Sequence, residues 1–225
     1  MTSSSEPKFT LTSVSLERSP FSLTLPSNGG VSICLIGSSR SGKTTLMKHL
    51  YREYFKKHMT VMFSMNTQAE IYEDLGEKVL ISPSYHPTLL KEAHEINVVC
   101  KNKHPFLFIS DDYVDHAIKN DKEVTRLLTI YRNSNMSSIF SFQGNTLMSA
   151  AGRNSCNYIC IFKQQTPKAW KAIIEEFLDM WLPLGWTMAQ KISYCKSVTG
   201  DHSFFFIDNI EGCACISKLT AAQIA

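Results

Sequence analysis

Short apolar runs alternate with longer amphipathic stretches along most of the chain. The apolar runs have the length of buried strands and occur at 31–37, 60–65, 77–82, 105–110, 137–142 and 157–162. Stretches with helical spacing of apolar residues lie between or after them, at 43–57, 86–102, 117–132 and 166–181. Strands that alternate with helices favour parallel pairing and right-handed crossovers. The pattern therefore predicts an α/β fold with a doubly wound, mainly parallel sheet.

The two ends of the chain predict further short strands. Phe21, Leu23 and Leu25 alternate with polar residues, as in a half-buried strand, and the runs 203–208 and 212–217 predict a closing hairpin. The turn sequence "PSNGG" separates the Ser/Thr-rich start from the rest. We expect an N-terminal leader with an edge strand over 1–29 and a single domain over 30–225.

The segment "GSSRSGKT" matches the pattern G-x-x-x-x-G-K-[ST], the P-loop, and it lies between an apolar strand and a helix. Backbone amides of such a loop and of the following helix point at a polyphosphate. We expect Lys43 to reach the β- and γ-phosphates and the Thr44 hydroxyl to bind Mg²⁺. The predicted nucleotide-binding residues are Gly37, Ser38, Ser39, Arg40, Ser41, Gly42, Lys43, Thr44 and Thr45.

Acidic residues follow another apolar strand, in "PFLFISDDYVD". A P-loop needs a second anchor for its metal ion at the end of a neighbouring strand, and Asp111 fits this position. Asp112 can act as the general base that polarises the attacking water, although Asp115 is also close. A helix cap is the alternative role for these aspartates.

Three further polar residues complete the candidate catalytic set. Gln143 follows the strand 137–142, where it can touch the γ-phosphate or orient water. Arg132 and Arg153 are candidates for an arginine that stabilises the transferring phosphoryl group across a subunit boundary. Each of the three can also be an ordinary loop or surface residue.

Composition narrows the class of protein further. The 225 residues are 44% hydrophobic and 19% charged, and the formal net charge is +3, so overall charge does not indicate nucleic acid binding. The seven cysteines are scattered and lack zinc-type spacing, which favours reduced structural thiols. The sequence has no apolar stretch of membrane-span length and no secretory signal. We therefore expect a protein of the cell interior that is not secreted.

Four blocks together resemble the genome-packaging ATPases of double-stranded DNA viruses, the poxvirus-type branch of the FtsK/HerA superfamily. They are "LIGSSRSGKTT" (35–45), "FLFISDD" (106–112), "IYRNSNMSSIFSFQ" (130–143) and "GRNSCNYICIF" (152–162). Asp112 stands where many relatives carry glutamate, and Asn133 follows Arg132 where the family often has histidine.

The resemblance implies an additional-strand P-loop fold and an ATP-driven motor that packages double-stranded DNA into a viral capsid. It implies ATP and Mg²⁺ as cofactors, with Lys43 and Thr44 binding nucleotide and Mg²⁺, Asp111 holding the metal and Asp112 acting as the catalytic acidic residue. Gln143 is then the sensor, and Arg132 or Arg153 is the finger. Implied partners are DNA, a homo-oligomeric ring of five or six subunits, and a capsid vertex or portal component. The implied location is the site of virion assembly, in cytoplasm or nucleus, with possible retention in the virion.

Two other functions remain open at this point. A small-molecule kinase shares the P-loop, but it should carry a lid with clustered arginines, and 163–202 contains none. A nucleotide-binding assembly factor with little hydrolysis is the non-enzymatic alternative. If DNA is bound, Lys101, Lys103, Lys119 and Lys122 are candidate contacts.

Overall fold

The computed structural model describes residues 16–64, 71–76, 78–111, 121–144 and 149–224. The strands are β1 (Arg18–Pro20), β2 (Ser32–Ile36), β3 (Met59–Ser64), β4 (Val79–Ser82), β5 (Phe106–Asp111), β6 (Met136–Phe142), β7 (Tyr158–Ile161), β8 (Phe204–Asp208) and β9 (Cys213–Lys218). The α-helices are α1 (Lys43–Leu50), α2 (Pro87–Val99), α3 (Lys122–Thr129), α4 (Ala150–Ser155), α5 (Pro167–Ile173), α6 (Met188–Val198) and α7 (Ala221–Ile224).

Several helices change their winding near their ends. Helix α1 continues as the π-helical segment Tyr51–Phe55, and α5 continues as the π-helical segment Ile174–Leu178. Short 3₁₀ turns lie at Glu73–Leu75, Tyr131–Ser134 and Asp179–Trp181. The predicted stretch 166–181 is therefore helical throughout most of its length, but with three different windings.

The strands form one sheet in the order β1-β9-β8-β7-β2-β6-β5-β3-β4. Strand β8 runs antiparallel to its neighbours β7 and β9, and the other neighbouring pairs are parallel. Strand β6 lies between β2 and β5, with Ile139 paired to Ile33 on one side and to Ile109 on the other. The predicted mainly parallel sheet, its additional strand and its C-terminal hairpin are confirmed.

Helices cover both faces of the sheet. Along β2, Cys34 and Ile36 belong to one buried cluster, and Ile33 and Leu35 belong to the other. This follows from the strand geometry, because successive side chains point to opposite faces. The first cluster includes apolar residues of α2, α3, α5 and α6, and the second includes those of α1. The doubly wound arrangement is therefore confirmed.

The N-terminal strand differs from the prediction. The side chains at alternate positions of 21–25 are buried or half-buried, but the strand itself is β1, which ends before them and pairs with β9. Phe21 N still donates to Lys218 O of β9 at 3.2 Å, but Leu23 and Thr24 bond to side chains instead. Leu23 N donates to the Tyr54 hydroxyl at 3.2 Å, and Thr24 O accepts from the Tyr158 hydroxyl at 2.6 Å. These contacts satisfy the backbone without a strand neighbour.

The cysteines are free thiols, and most of them lie in the core. Burial raises the pKa of Cys195 to about 12. A hydrogen bond with Cys156, together with burial, raises the pKa of Cys34. Both thiols are therefore protonated at neutral pH and pack as small apolar side chains.

Candidate functional site

The loop between β2 and α1 is held in shape by its neighbours at the carboxyl edge of the sheet. Gly37 N donates to Phe142 O at 3.0 Å, and Ser38 N donates to Lys163 O at 2.9 Å. A Cβ atom on Gly37 would lie 2.5 Å from the Phe162 Cβ, so only glycine fits there. Gly42 has a φ of 104°, which favours glycine and lets α1 begin at the next residue.

Lys43 is buried at the centre of this loop. Its ammonium group donates to Gly37 O at 2.9 Å and to Ser38 O at 3.0 Å. Only 3% of the residue is exposed. The contacts keep the positive charge against the inner side of the loop, next to the amino end of α1. Two sources of positive potential, the ammonium group and the helix terminus, therefore favour an anion at one place.

The acidic strand meets the loop through a hydrogen-bonded chain. The Thr44 hydroxyl donates to Asp111 Oδ2 at 3.0 Å, and the Tyr72 hydroxyl donates to the same oxygen at 3.0 Å. The Ser64 hydroxyl lies 3.1 Å from the Tyr72 hydroxyl. Because the Tyr72 proton is used on Asp111, Ser64 is the donor of that last bond.

The second carboxylate oxygen of Asp111 has a different environment. Oδ1 is buried and has no hydrogen-bond partner among the residues that the structure describes. An unsatisfied buried acceptor is costly, by about 1–3 kcal/mol. Mg²⁺ prefers oxygen ligands from carboxylates and hydroxyls. Asp111 and Thr44 therefore fit a magnesium ion, with Tyr72 orienting the carboxylate from behind.

Another predicted catalytic residue lies directly beyond the end of a strand. Gln143 directly follows β6, and its side chain is exposed. The bond between Gly37 N and Phe142 O places Gln143 beside the start of the phosphate loop. Asp112 and the alternative base Asp115 lie outside the described residues.

The two arginines are not brought to this edge. Arg132 precedes β6 at the amino edge of the sheet, where its guanidinium donates to Asn157 Oδ1 at 2.7 Å. Arg153 lies in the last turn of α4 and forms an ion pair with Glu176. Neither residue lines the cavity beside the phosphate loop. Any action of either arginine on a nucleotide would have to reach the phosphate loop of another subunit.

A cavity of about 500 Å³ continues from the phosphate loop toward β8, β9 and α7. Apolar side chains of Phe162, Phe204, Leu219 and Ile224 form much of its wall, and His202 lies next to Gly42. Mostly apolar cavities of this size with a few polar groups are typical of small-molecule sites. The cavity has room for the nucleoside part of a nucleotide whose phosphates lie on the loop.

The family described as Poxvirus A32 protein matches residues 27–169, which contain the P-loop, Asp111, Gln143 and both arginines. The chain belongs to the Poxvirus A32 protein family. A comparison with curated proteins finds no match. The predicted resemblance to the poxvirus-type branch is confirmed.

Solved structures similar to this poxvirus A32 family member include viral packaging enzymes. B204, the DNA-packaging ATPase from Sulfolobus Turreted Icosahedral Virus, has a TM-score of 0.64 at 17% identity and covers 86% of this chain and 99% of its own. The genome packaging NTPase B204 from Sulfolobus turreted icosahedral virus 2, in complex with AMPPCP, has a TM-score of 0.61 at 16% identity, covering 87% and 100%.

A third similar structure comes from a different kind of system. The pCW3 conjugation coupling protein TcpA, in its monomer form with ATPgS, has a TM-score of 0.58 at 14% identity and covers 84% of this chain and 60% of its own. At these identities the likeness shows the fold. The P-loop fold of the A32 family member is therefore shared with proteins of different biological settings.

Sequence reasoning missed several residues around the site. Tyr72 and Ser64 lie in no recognisable motif, and only the pairing of Ser64 with Asp111 across β3 and β5 brings them together. His202 and the α7 side chains come from the C-terminal region, beyond the matched segment. The apolar side chains among them follow the same sequence pattern as core residues, so the sequence does not mark them as part of a site.

No helix in the described part of the chain has the length and apolar character needed to cross a membrane.

Proposed function

We propose that this A32 family member is an ATP-hydrolysing motor that moves double-stranded DNA into a viral capsid. The observation that carries the proposal is the assembly of Lys43, Thr44 and Asp111 at one sheet edge, with the Thr44 hydroxyl 3.0 Å from Asp111 Oδ2. Membership of the A32 family supports the packaging role over a small-molecule kinase. The similar B204 proteins, a DNA-packaging ATPase and a genome packaging NTPase, agree with this role.

ATP is the substrate that fits the site. The loop amides from Gly37 to Thr45 and the Lys43 ammonium bind the phosphates, while the cavity lined by Phe162 and Phe204 takes the nucleoside. Thr44 and Asp111 would hold Mg²⁺, which neutralises charge on the β- and γ-phosphates when bound. The buried setting of Lys43 and Asp111 strengthens both interactions, since water screens them little.

Each remaining predicted catalytic residue has one role in the hydrolytic step. A water molecule attacks the γ-phosphorus, Asp112 takes its proton, and the bond to the ADP oxygen breaks. Gln143 contacts the γ-phosphate or orients the water. Arg132 or Arg153 of a neighbouring subunit stabilises the charge that develops on the transferring group. We further propose that residues 30–225 form the ATPase domain and that residues 1–29 form a leader with an edge strand.

The assembly follows from the need for a second subunit. We propose a homo-oligomeric ring of five or six copies around DNA, docked on a capsid vertex or portal component. Such a ring concentrates the modest charge of +3 per chain around one channel. The protein acts inside the host cell where virions assemble, in cytoplasm or nucleus, and can remain in the virion.

Displacement of a third strand from duplex DNA tests translocation directly. We expect ATP-dependent release of a triplex-forming oligonucleotide placed far from the loading end. Lys43→Ala should slow this release by at least about 100-fold, because it removes a charge that contacts the transferring phosphate. The matched control is Lys48→Ala, further along α1, where the lysine pairs with Asp74. Release without ATP hydrolysis, or equal loss in both variants, would refute the proposal.

A further inference from the structure

A group of lysines lies at the amino edge of the sheet, opposite the phosphate loop. Lys56 and Lys57 precede β3, and Lys101 and Lys103 precede β5. All four side chains are exposed. Met59 N donates to Pro105 O at 2.9 Å, so the two loops that carry the lysines are adjacent. We call these four residues the amino-edge lysine cluster.

The cluster is electrically uncompensated in the part of the chain that the structure describes. None of its members forms an ion pair there. Lysines elsewhere do pair with carboxylates, namely Lys48, Lys91, Lys171, Lys191 and Lys218. Four neighbouring positive charges without acidic partners repel one another, and this repulsion is relieved when a polyanion binds. The arrangement therefore points to a ligand with closely spaced negative charges.

A polar cavity opens beside the cluster. Its volume is about 420 Å³, and Asn28, Asn102, Asn133 and Asn135 contribute to its lining, together with hydroxyl groups. Side-chain amides and hydroxyls are, after lysine and arginine, the usual side-chain contacts to phosphate and sugar oxygens. A protein interface would instead be depleted in charge at its centre and enriched in aromatic side chains. The chemistry favours a nucleic acid backbone over a protein partner.

One buried side-chain amide holds the loops before β5 and β6 in fixed positions. Asn97, at 0% exposure, donates through Nδ2 to Ser134 O and accepts at Oδ1 from His104 N at 3.2 Å. Its two hydrogen bonds tie the loop before β5 to the loop before β6. Asn135 Nδ2 adds a bond to Asn102 O at 3.5 Å. A fixed surface loses less conformational entropy on binding than a mobile one.

The spacing of the two loops fits neighbouring phosphates of a duplex. Strands β3 and β5 are adjacent, so the backbones that carry the lysines are about 4.8 Å apart. Long lysine side chains from both loops can therefore reach neighbouring phosphates, which follow one another every ~3.4 Å of helix axis along one DNA strand. The nucleotide site lies at the other end of the six-residue strands β3 and β5, about 20 Å away. A change in the lysines therefore leaves the phosphate loop intact.

We propose that the amino-edge lysine cluster, with the asparagine-lined cavity beside it, binds the phosphate backbone of duplex DNA. The choice of duplex DNA as the partner rests on the proposed motor function. The new part of the inference is the surface of the protein that contacts the DNA. The proposal includes Lys101 and Lys103 among the DNA contacts and leaves out Lys122, because Lys122 begins α3, which follows the carboxyl end of β5. Lys119, also a candidate from the sequence, lies outside the described residues.

A matched pair of triple variants tests the assignment. The test variant is Lys57→Gln, Lys101→Asn and Lys103→Gln; asparagine is chosen at 101 because that residue has a φ of 54°. The control is Lys122→Gln, Lys168→Gln and Lys196→Gln, three exposed lysines that form no ion pair within the described ranges. Binding to a 30-base-pair duplex is measured by fluorescence anisotropy across a salt series, and ATP turnover is measured without DNA.

We expect the test variant to lose at least about tenfold in DNA affinity and to lower the salt slope of log K by about 2.7, the value for three phosphate contacts. ATP turnover without DNA should be unchanged, and the control should bind nearly as the unmodified protein does. Unchanged DNA binding in the test variant, equal loss in both variants, or no duplex binding by the unmodified protein would overturn the proposal. DNA binding at this surface without ATP-driven movement would contradict the motor function alone.

Discussion

At the scale of single residues, the two oxygens of Asp111 have different environments. Oδ2 accepts hydrogen bonds from Thr44 and Tyr72, which fixes the plane of the carboxylate. Oδ1 has no partner within the described residues although it is buried. A carboxylate held in this way is prepared for a cation on its free side, because the donors on Oδ2 prevent it from rotating.

Replacing Tyr72 by phenylalanine tests this orientation. Tyr72→Phe removes one of the two donors to Asp111 Oδ2 and also the acceptor for Ser64. Loss of an outer hydrogen bond to a metal ligand typically costs 10–100-fold in metal affinity or activity. We expect the Mg²⁺ concentration for half-maximal ATP turnover to rise about tenfold, with turnover largely recovered at saturating Mg²⁺. Tyr54→Phe, whose hydroxyl contacts Leu23, is the control. An unchanged Mg²⁺ requirement would show that Tyr72 has no such role.

The sequence was sufficient to predict the site residues that belong to local motifs. It was insufficient to predict those whose position depends on strand pairing in the sheet. The spacing from Gly37 to Thr44 encodes a loop and a helix start, so its contact with a strand-end aspartate could be predicted. Tyr72 could not, because its approach to Asp111 depends on the register that sets Ser64 opposite that aspartate. The position of Arg132 depends on strand direction: a residue before β6 lies at the far edge from a residue after it.

At the scale of elements, the apolar pattern predicted the buried strands best. Strands β3, β5, β6 and β7 are buried over most of their length, and each contains consecutive apolar residues that face both sides of the sheet. Helix α6 was missed although Met188, Ile192, Cys195 and Val198 recur at helical spacing and pack in the core. Its start does carry a signal, since Thr187 and Gln190 form a capping box with bonds of 3.3 and 2.8 Å.

Helix α1 contains a buried histidine that links stability to pH. His49 packs against Phe21 and Tyr54, and its Nε2 lies 3.5 Å from Nε2 of Gln223 in α7. Burial lowers the pKa of His49, and it also lowers the pKa of His58 and of His94. The folded protein therefore binds fewer protons than the unfolded chain below about pH 6.5. The histidine contribution to stability should be constant above that pH and fall as the pH drops below it.

The pH dependence of the melting temperature tests this linkage. We expect Tm to fall between pH 7.5 and pH 5.5, and His49→Gln to make that fall smaller without removing it, because His58 and His94 remain. The change of Tm with pH is the readout, since the substitution also alters packing at all pH values. His86→Gln, at an exposed position before α2, is the control. A pH dependence that is the same with and without His49 would contradict the assignment.

At the scale of the whole molecule, the two edges of the sheet carry different functional groups. The carboxyl edge holds the phosphate loop, Asp111 and Gln143, and the amino edge holds Arg132 and the amino-edge lysine cluster. One chain therefore does not bring Arg132 or Arg153 to its own phosphate loop. A second copy is needed if either of these two arginines takes part in hydrolysis, which agrees with an oligomeric motor.

Mixing two inactive variants tests the need for a second copy. Arg153→Ala keeps the phosphate loop, and Lys43→Ala keeps the arginine, so a mixed assembly contains some interfaces with both groups. Since a finger arginine is worth about 10³–10⁵ in turnover, we expect the mixture to exceed either variant alone by at least about tenfold. The same mixture with Arg132→Ala examines the other candidate. No recovery with either arginine would contradict action across the subunit boundary.

The most direct measurement is ATP turnover with and without long duplex DNA, on protein whose assembly mass is determined in the same preparation. An oligomer should hydrolyse ATP, and duplex DNA should stimulate that hydrolysis. Turnover that is indifferent to DNA but increases with a nucleoside acceptor would contradict the motor and indicate a kinase.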